Sequence, residues 1–205
     1  MQEYYYDKLL NIKTREDRNQ PSGHSIHYHP YEPTPYQALE VFCKQYDVKA
    51  TDHIVDFGSG KGRLNFFMHY FHQATVTGVE KDERLYREAL KNLENYHKKT
   101  RVEGHELHFH CCLAEEYEIN PTDNRFYFFH PFSIQIFRKI VDRIIQSTEE
   151  KMRDVEIILY YPHEEYIYFL EHETVFNLIK EIKLPGLYER NSYERFLVYR
   201  LGPSA

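Results

Sequence analysis

The stretch that most constrains this chain is residues 53–63, His-Ile-Val-Asp-Phe-Gly-Ser-Gly-Lys-Gly-Arg. The short run from His53 to Phe57 has the length and composition of a buried strand, and it gives way to glycines at 58, 60 and 62 before a helical pattern begins. Strand, tight turn and helix start follow from that order. Glycine lets the backbone enter φ > 0 and lets a ligand approach the main chain, while the open N–H groups at the start of the next helix carry partial positive charge. Asp56 adds a carboxylate at the rim. A glycine-rich turn that serves close packing alone is the competing reading of the same residues.

Spacing separates the known glycine loops. A phosphate loop requires G-x-x-x-x-G-K-S/T, whereas Gly58 is followed by another glycine two residues later and Gly62 by Arg63. The dinucleotide fingerprint requires its third glycine five positions after the first, where this chain has Arg63, which disfavours a nicotinamide-dependent oxidoreductase. The actual pattern, Asp56-Phe-Gly-Ser-Gly-Lys-Gly62, resembles motif I of the class I S-adenosylmethionine-dependent methyltransferases. In that family the glycine turn lies against the methionine part of the cofactor, so the resemblance implies cofactor roles for Asp56, Gly58, Gly60 and Gly62.

Downstream, Leu64, Phe67, Met68 and Phe71 recur at helical spacing, and Thr75-Val-Thr-Gly-Val-Glu80 reads as a second strand ending in an acid. A carboxylate at the end of such a strand can accept two hydrogen bonds from a ribose diol. Glu80 resembles the family's ribose-binding acid, while Asp82 suits the cap of a helix whose buried stripe is Leu85, Ala89, Leu93 and Tyr96. A third strand, 106–112, leads into Leu113-Ala-Glu115. By family resemblance, Ala114 supplies apolar contact to adenine and Glu115 an acceptor; Glu115 reads equally well as an exposed acid opening a short turn.

A fourth strand, 125–129, runs into His130-Pro-Phe-Ser133 and then a helix that Ser133 is placed to cap, with Ile134, Phe137, Val141 and Ile144 on one face. The family carries its motif IV here, Asn/Asp/Ser-Pro-Pro-Tyr/Phe in amino-directed members. His130, Pro131 and Phe132 match it in part; His130 replaces the polar residue that would hold an amine, and one proline is missing. His130 is the candidate base or substrate orienter, because the ordinary imidazole pKa lies near working pH, and a strand-end histidine satisfied by backbone is the competing reading. A fifth strand, 155–161, a helix from His163 and two closing strands within 175–201 complete the pattern. His163-Glu lacks the second histidine of a zinc helix, because residue 167 is Ile.

Ahead of motif I, Thr34 suits a helix N-cap and Pro35 the first helical position, which predicts a helix over 35–46. Pro-Thr segments like Tyr31-Glu-Pro-Thr-Pro-Tyr36 line the cofactor pocket in some methyltransferases of this class, which implies contacts from Tyr31 and Thr34. Residues 1 to about 30 are polar without sustained periodicity and read as an arm or lid. Three histidines between His24 and His29 lack the accompanying ligands a zinc site needs, so no metal is expected.

The 205 residues fit one domain, 34–205, with an N-terminal arm at 1–33. The formal net charge of −6 gives no global attraction for a polyanion, so bulk nucleic-acid binding is not expected, and the methyl acceptor, small molecule or protein, stays open. Three cysteines form no disulfide framework, and the chain shows neither an 18-residue apolar run nor a signal pattern at its start. The expectation is a soluble, cytoplasmic protein that does not engage membranes. Strands alternating with helices predict an α/β, doubly wound, mostly parallel seven-stranded sheet with helices on both faces and a C-terminal antiparallel pair. The resemblance covers about residues 34 to 201 and implies S-adenosylmethionine as cofactor and S-adenosylhomocysteine as product. A catalytically inactive cofactor-binding or protein-interaction module of the same fold is the alternative.

Overall fold

The computed structural model describes residues 2–15, 31–100 and 106–201. Helices α1 (Gln2–Leu10) and α2 (Tyr36–Gln45) precede β1 (His53–Phe57), α3 (Arg63–His72), β2 (Thr75–Glu80), α4 (Glu83–Lys99) and β3 (Leu107–Cys111). After a single 3-10 turn, Ala114–Glu116, come β4 (Arg125–Phe128), α5 (Ile134–Glu150), β5 (Glu156–Tyr160), α6 (Glu164–Glu173), β6 (Phe176–Lys183) and β7 (Arg195–Leu201).

The seven strands form one sheet in the order β3-β2-β1-β4-β5-β7-β6. β1 pairs in parallel with β2 on one side and β4 on the other, so the chain winds outward in both directions from β1, and the strand order reverses beside its C-terminal end. In open α/β sheets that crevice is where ligands bind. The closing strands are antiparallel, and β7 inserts between β5 and β6, leaving β6 at the edge.

Period-2 alternation sorts the side chains onto two faces. Ile54, Val76, Tyr127, Ile158 and Val198 pack with α1, α2, α3 and α4, whereas Val55, Val79, Phe126, Leu159 and Tyr199 pack with α5 and α6. Residue 56 shares the parity of Ile54, so Asp56 belongs to the α3 face. The second layer is locked by Phe137 of α5 stacked on Tyr166 of α6, with ring centroids 3.7 Å apart. Such a pair adds about 1 kcal/mol beyond burial.

Three local expectations are corrected. α2 begins at Tyr36 with Pro35 at the N-cap and no side-chain cap bond, because the Thr34 hydroxyl is committed to the Tyr127 hydroxyl, 2.8 Å away. α1 is a helix where the sequence predicts no element. Its packing is tertiary: Leu10 and Tyr6 join the core of the α3 face, so periodicity within nine residues carries little of the signal. Third, Ser133 sits at the N-cap of α5 without a side-chain cap bond. Asp82 does cap α4, accepting from Arg84 N and Leu85 N. The stretch from His24 to His29 lies outside the described residues, and among the described ones no helix is long and apolar enough to cross a membrane.

Candidate functional site

Gly58, Gly60 and Gly62 all adopt positive φ, at 83°, 54° and 86°. The turn hangs on β2, with Gly58 N and Ser59 N both donating to the Val79 carbonyl at 2.8 and 3.1 Å. At Gly60 the left-handed conformation and a close approach coincide: a Cβ there would lie 2.1 Å from Cε2 of Tyr31, so the tyrosine ring rests against the bare backbone. A Cβ on Gly58 would meet Cβ of Pro131 at 2.7 Å, which puts the loop after β4 in contact with the turn. Gly62 faces inward instead, beneath Phe109 and Phe66, and closes the packing of α3 against the sheet. The Ser59 hydroxyl is buried there without a hydrogen-bond partner.

Two acids flank the turn. Glu80 accepts from Gly60 N at 2.9 Å through Oε2 and from Asp82 N at 2.7 Å through Oε1. Burial raises its pKa, while those main-chain donors oppose the rise. Asp56 is buried on the α3 face, and desolvation, reinforced by the Glu80 charge, pushes its carboxyl up to about 8. Its partner is Asn65, which is fully buried on α3. With its amide oriented by its neighbours, Asn65 donates to Asp56 Oδ2 at 2.8 Å and accepts from Gly78 N at 3.2 Å. Asn65 lies at i+9 from Asp56, across a turn, and no local pattern marks such a pair.

At the end of β3, Ala114 is buried and Glu115 is half-buried in the 3-10 turn. The Glu115 carbonyl accepts from Arg143 of α5, which fixes the turn against the second helix layer.

The loop after β4 carries His130 at φ 38°, a conformation uncommon for a residue with a Cβ. Tyr161, at the equivalent end of β5, has φ 52°. The His130 ring stacks on His163 with centroids 4.7 Å apart and 8° between planes, and meets Tyr166 edge-on. Pro131 covers Gly58. Phe132, by contrast, is 1% exposed and belongs to the α5 and α6 core, with its carbonyl accepting from the Tyr166 hydroxyl at 2.6 Å. The structure thus seats Pro131 on the turn, stacks the His130 ring on His163, and turns Phe132 away into the interior.

Residues 2–15 pack along α3 and α4, with Tyr6 against Phe67 and Phe71 and the Lys8 carbonyl accepting from Lys99, and reach the start of α3 through Glu3 and Thr14, which the sequence does not reveal. Arg63, the first residue of α3 and 4% exposed, donates Nε to Thr14 Oγ1 at 2.8 Å and pairs with Glu3. It also reaches the Thr34 carbonyl at 3.4 Å and lies over the Tyr36 ring at 4.6 Å. The Tyr31 hydroxyl donates to the Thr14 carbonyl at 2.7 Å, and Tyr36 is tied to Glu3 and Asp7 at 3.0 and 2.8 Å. Lys61, also buried, donates to the Arg15 carbonyl at 3.0 Å and pairs with Glu88 at 2.8 Å.

No protein-family model matches the sequence, and no curated protein matches it. Solved structures do resemble the fold. A putative RNA methyltransferase from Pyrococcus horikoshii superposes with a TM-score of 0.57 at 19% identity, covering 97% of this chain and 96% of that one. An RNA methyltransferase from Salinibacter ruber, in complex with S-adenosyl-L-homocysteine, gives a TM-score of 0.55 at 17% identity over 85% of this chain and 96% of that one. A dimethyladenosine transferase from Plasmodium falciparum gives 0.53 at 12% identity over 84% and 62%. With identities this low the likeness concerns architecture, and the architecture, in strand order and winding, is the class I S-adenosylmethionine-dependent methyltransferase fold.

Proposed function

We propose that this chain is an S-adenosylmethionine-dependent methyltransferase. The observation that carries the reading is the bond from Gly60 N to Glu80, which joins the glycine turn to the acid ending β2 at the point where the strand order reverses. The donor set fits such a cofactor. Asp56 and Glu80 are two acids held up by burial, with the Glu80 charge adding to the rise at Asp56, and a ligand bearing sulfonium and ammonium charges offsets the cost of ionising them.

Bound there, the cofactor supplies a methyl group already activated by its sulfonium. The remaining task of the chain is alignment, exclusion of water and management of one proton. Glu80 keeps acceptor capacity for ribose hydroxyls beyond its two main-chain donors. Gly58, beneath Pro131, and Gly60, beneath the Tyr31 ring, shape the main chain of the seat, Tyr31 and the Thr34 segment wall the turn, and Ala114 with Glu115 flank the adenine end. Gly62 shapes the turn from inside. His130 is the candidate base; Pro131, seated on Gly58, keeps that loop in register with the turn. Phe132 acts only by anchoring the loop in the core.

RNA methyltransferases among the structural neighbours add RNA to small molecules and proteins as acceptor classes. The test has two stages. S-adenosylhomocysteine, but not NAD, is expected to raise the melting temperature, since a ligand that binds only the folded state stabilises it by mass action. Labelled methyl transfer is then measured into RNA, protein and small-molecule pools. Stabilisation by NAD alone overturns the cofactor assignment, and binding without transfer to any pool supports the non-catalytic alternative.

A further inference from the structure

The Arg63 network lies outside every role assigned so far. Arg63 begins α3 directly behind the glycine turn, yet its guanidinium is spent on the N-terminal chain: Glu3 of α1, the hydroxyl of Thr14 and the carbonyl of Thr34. Its flat face lies over Tyr36, whose hydroxyl and main-chain N–H hold Asp7 and Glu3 in turn. Thr14 is the hub, because its hydroxyl accepts from Arg63 and donates to Asp7 while its carbonyl accepts from the Tyr31 hydroxyl. Each link of the path from Arg63 through Thr14 to Tyr31 and on to the bare backbone of Gly60 is a direct contact.

A lysine at 63 could not make these contacts together, since they use a fork of donors and a planar face. A buried guanidinium is costly unless its donors are satisfied, so the arrangement forms as a unit.

We propose that Arg63 is a positioning residue that docks the N-terminal segment and thereby sets the Tyr31 ring as the wall of the cofactor seat at Gly60. This rests on the cofactor reading above. The seat is thus built from two parts of the chain, the glycine turn and a wall 29 residues upstream of it, and Arg63 couples them.

The test is a double-mutant cycle read by calorimetric titration of S-adenosylhomocysteine into the full chain, with hydrogen exchange of the α1 amides in the same variants. Arg63→Gln and Tyr31→Ala are each expected to weaken binding about tenfold or more, and the double variant no more than about twofold beyond Tyr31→Ala. Glu3→Gln, which alters the half-exposed end of the ion pair and keeps the fold, is expected to weaken binding about threefold and to speed α1 exchange. Losses that multiply in the double variant, or an unchanged dissociation constant in both Arg63→Gln and Glu3→Gln, overturn the proposal. Unchanged α1 exchange in both overturns docking by Arg63 while leaving the cofactor reading intact. A wild-type chain that takes up no S-adenosylhomocysteine overturns the cofactor reading itself, and faster α1 exchange then leaves Arg63 with a scaffold role only.

Discussion

Glu80 Oε2 and the main-chain nitrogen of Gly60 lie 2.9 Å apart, so the acid that ends β2 is bonded to the middle of the turn that follows β1. The turn's shape and the carboxylate's position therefore depend on each other. Glu80→Ala is expected to lower S-adenosylhomocysteine affinity by about 10- to 100-fold, the equivalent of one or two charge-assisted hydrogen bonds. Glu80→Gln, which keeps one acceptor oxygen, is expected to lose less. Titration calorimetry separates the two, and equal affinity in wild type and Glu80→Ala contradicts the role.

Gly60→Ala tests the close approach to Tyr31. The new Cβ would stand 2.1 Å from the ring at φ 54°, so the ring must move and the left-handed backbone adds about 1 kcal/mol of strain. Affinity for the cofactor product is expected to fall at least about tenfold, with a folded chain by circular dichroism. Gly186→Ala is the control: its φ is 78° but open space surrounds the Cβ position, so it is expected to cost about 1 kcal/mol of stability and no affinity.

Asp56 makes stability depend on pH. Its carboxyl holds a proton more tightly in the folded chain than in the unfolded one, so its stabilising contribution is complete in acid and is lost as pH rises towards about 8. Asp56→Asn stays neutral throughout. Urea unfolding of both chains is expected to show wild type losing more than about 1.4 kcal/mol relative to Asp56→Asn between about pH 5 and pH 8, one pKa unit of linkage. A constant difference across that window contradicts a raised Asp56.

His130 combines a strained backbone with an imidazole at the candidate acceptor side. His130→Gly relieves the strain and removes the ring together. The melting temperature and the S-adenosylhomocysteine affinity are expected to hold, while methyl transfer falls about 100-fold or more, the contribution of a positioned base. Parallel losses in affinity and turnover would mark His130 as structural.

Much of the fold was legible in the sequence because it is encoded locally. β1 spans His53–Phe57 as the apolar run predicts, β2 ends at Glu80, and Asp82 caps α4. The same holds for the seven strands and for the antiparallel closing pair. Phe132 was the least legible of the candidates. Motif spacing puts it beside His130, but the positive φ at His130 turns the chain, and Phe132 enters the core with Tyr166 over its carbonyl. Thr34 is similar: a capping residue by sequence, it is bonded to Tyr127 on the central strand β4.

By itself the sequence determined the glycine turn, the acids at the ends of β1 and β2, and the alternation of strand and helix. Steric limits on φ and side-chain periodicity act within a few residues and need no distant partner. Only the tertiary structure decided that β7 inserts between β5 and β6, that Asn65 holds Asp56, and that Arg63 reaches back to Glu3 and Thr14. The last two are bonds of buried polar groups, which must be satisfied by whatever neighbours the completed fold supplies, and those neighbours are set by packing across the sheet rather than by adjacency in the chain.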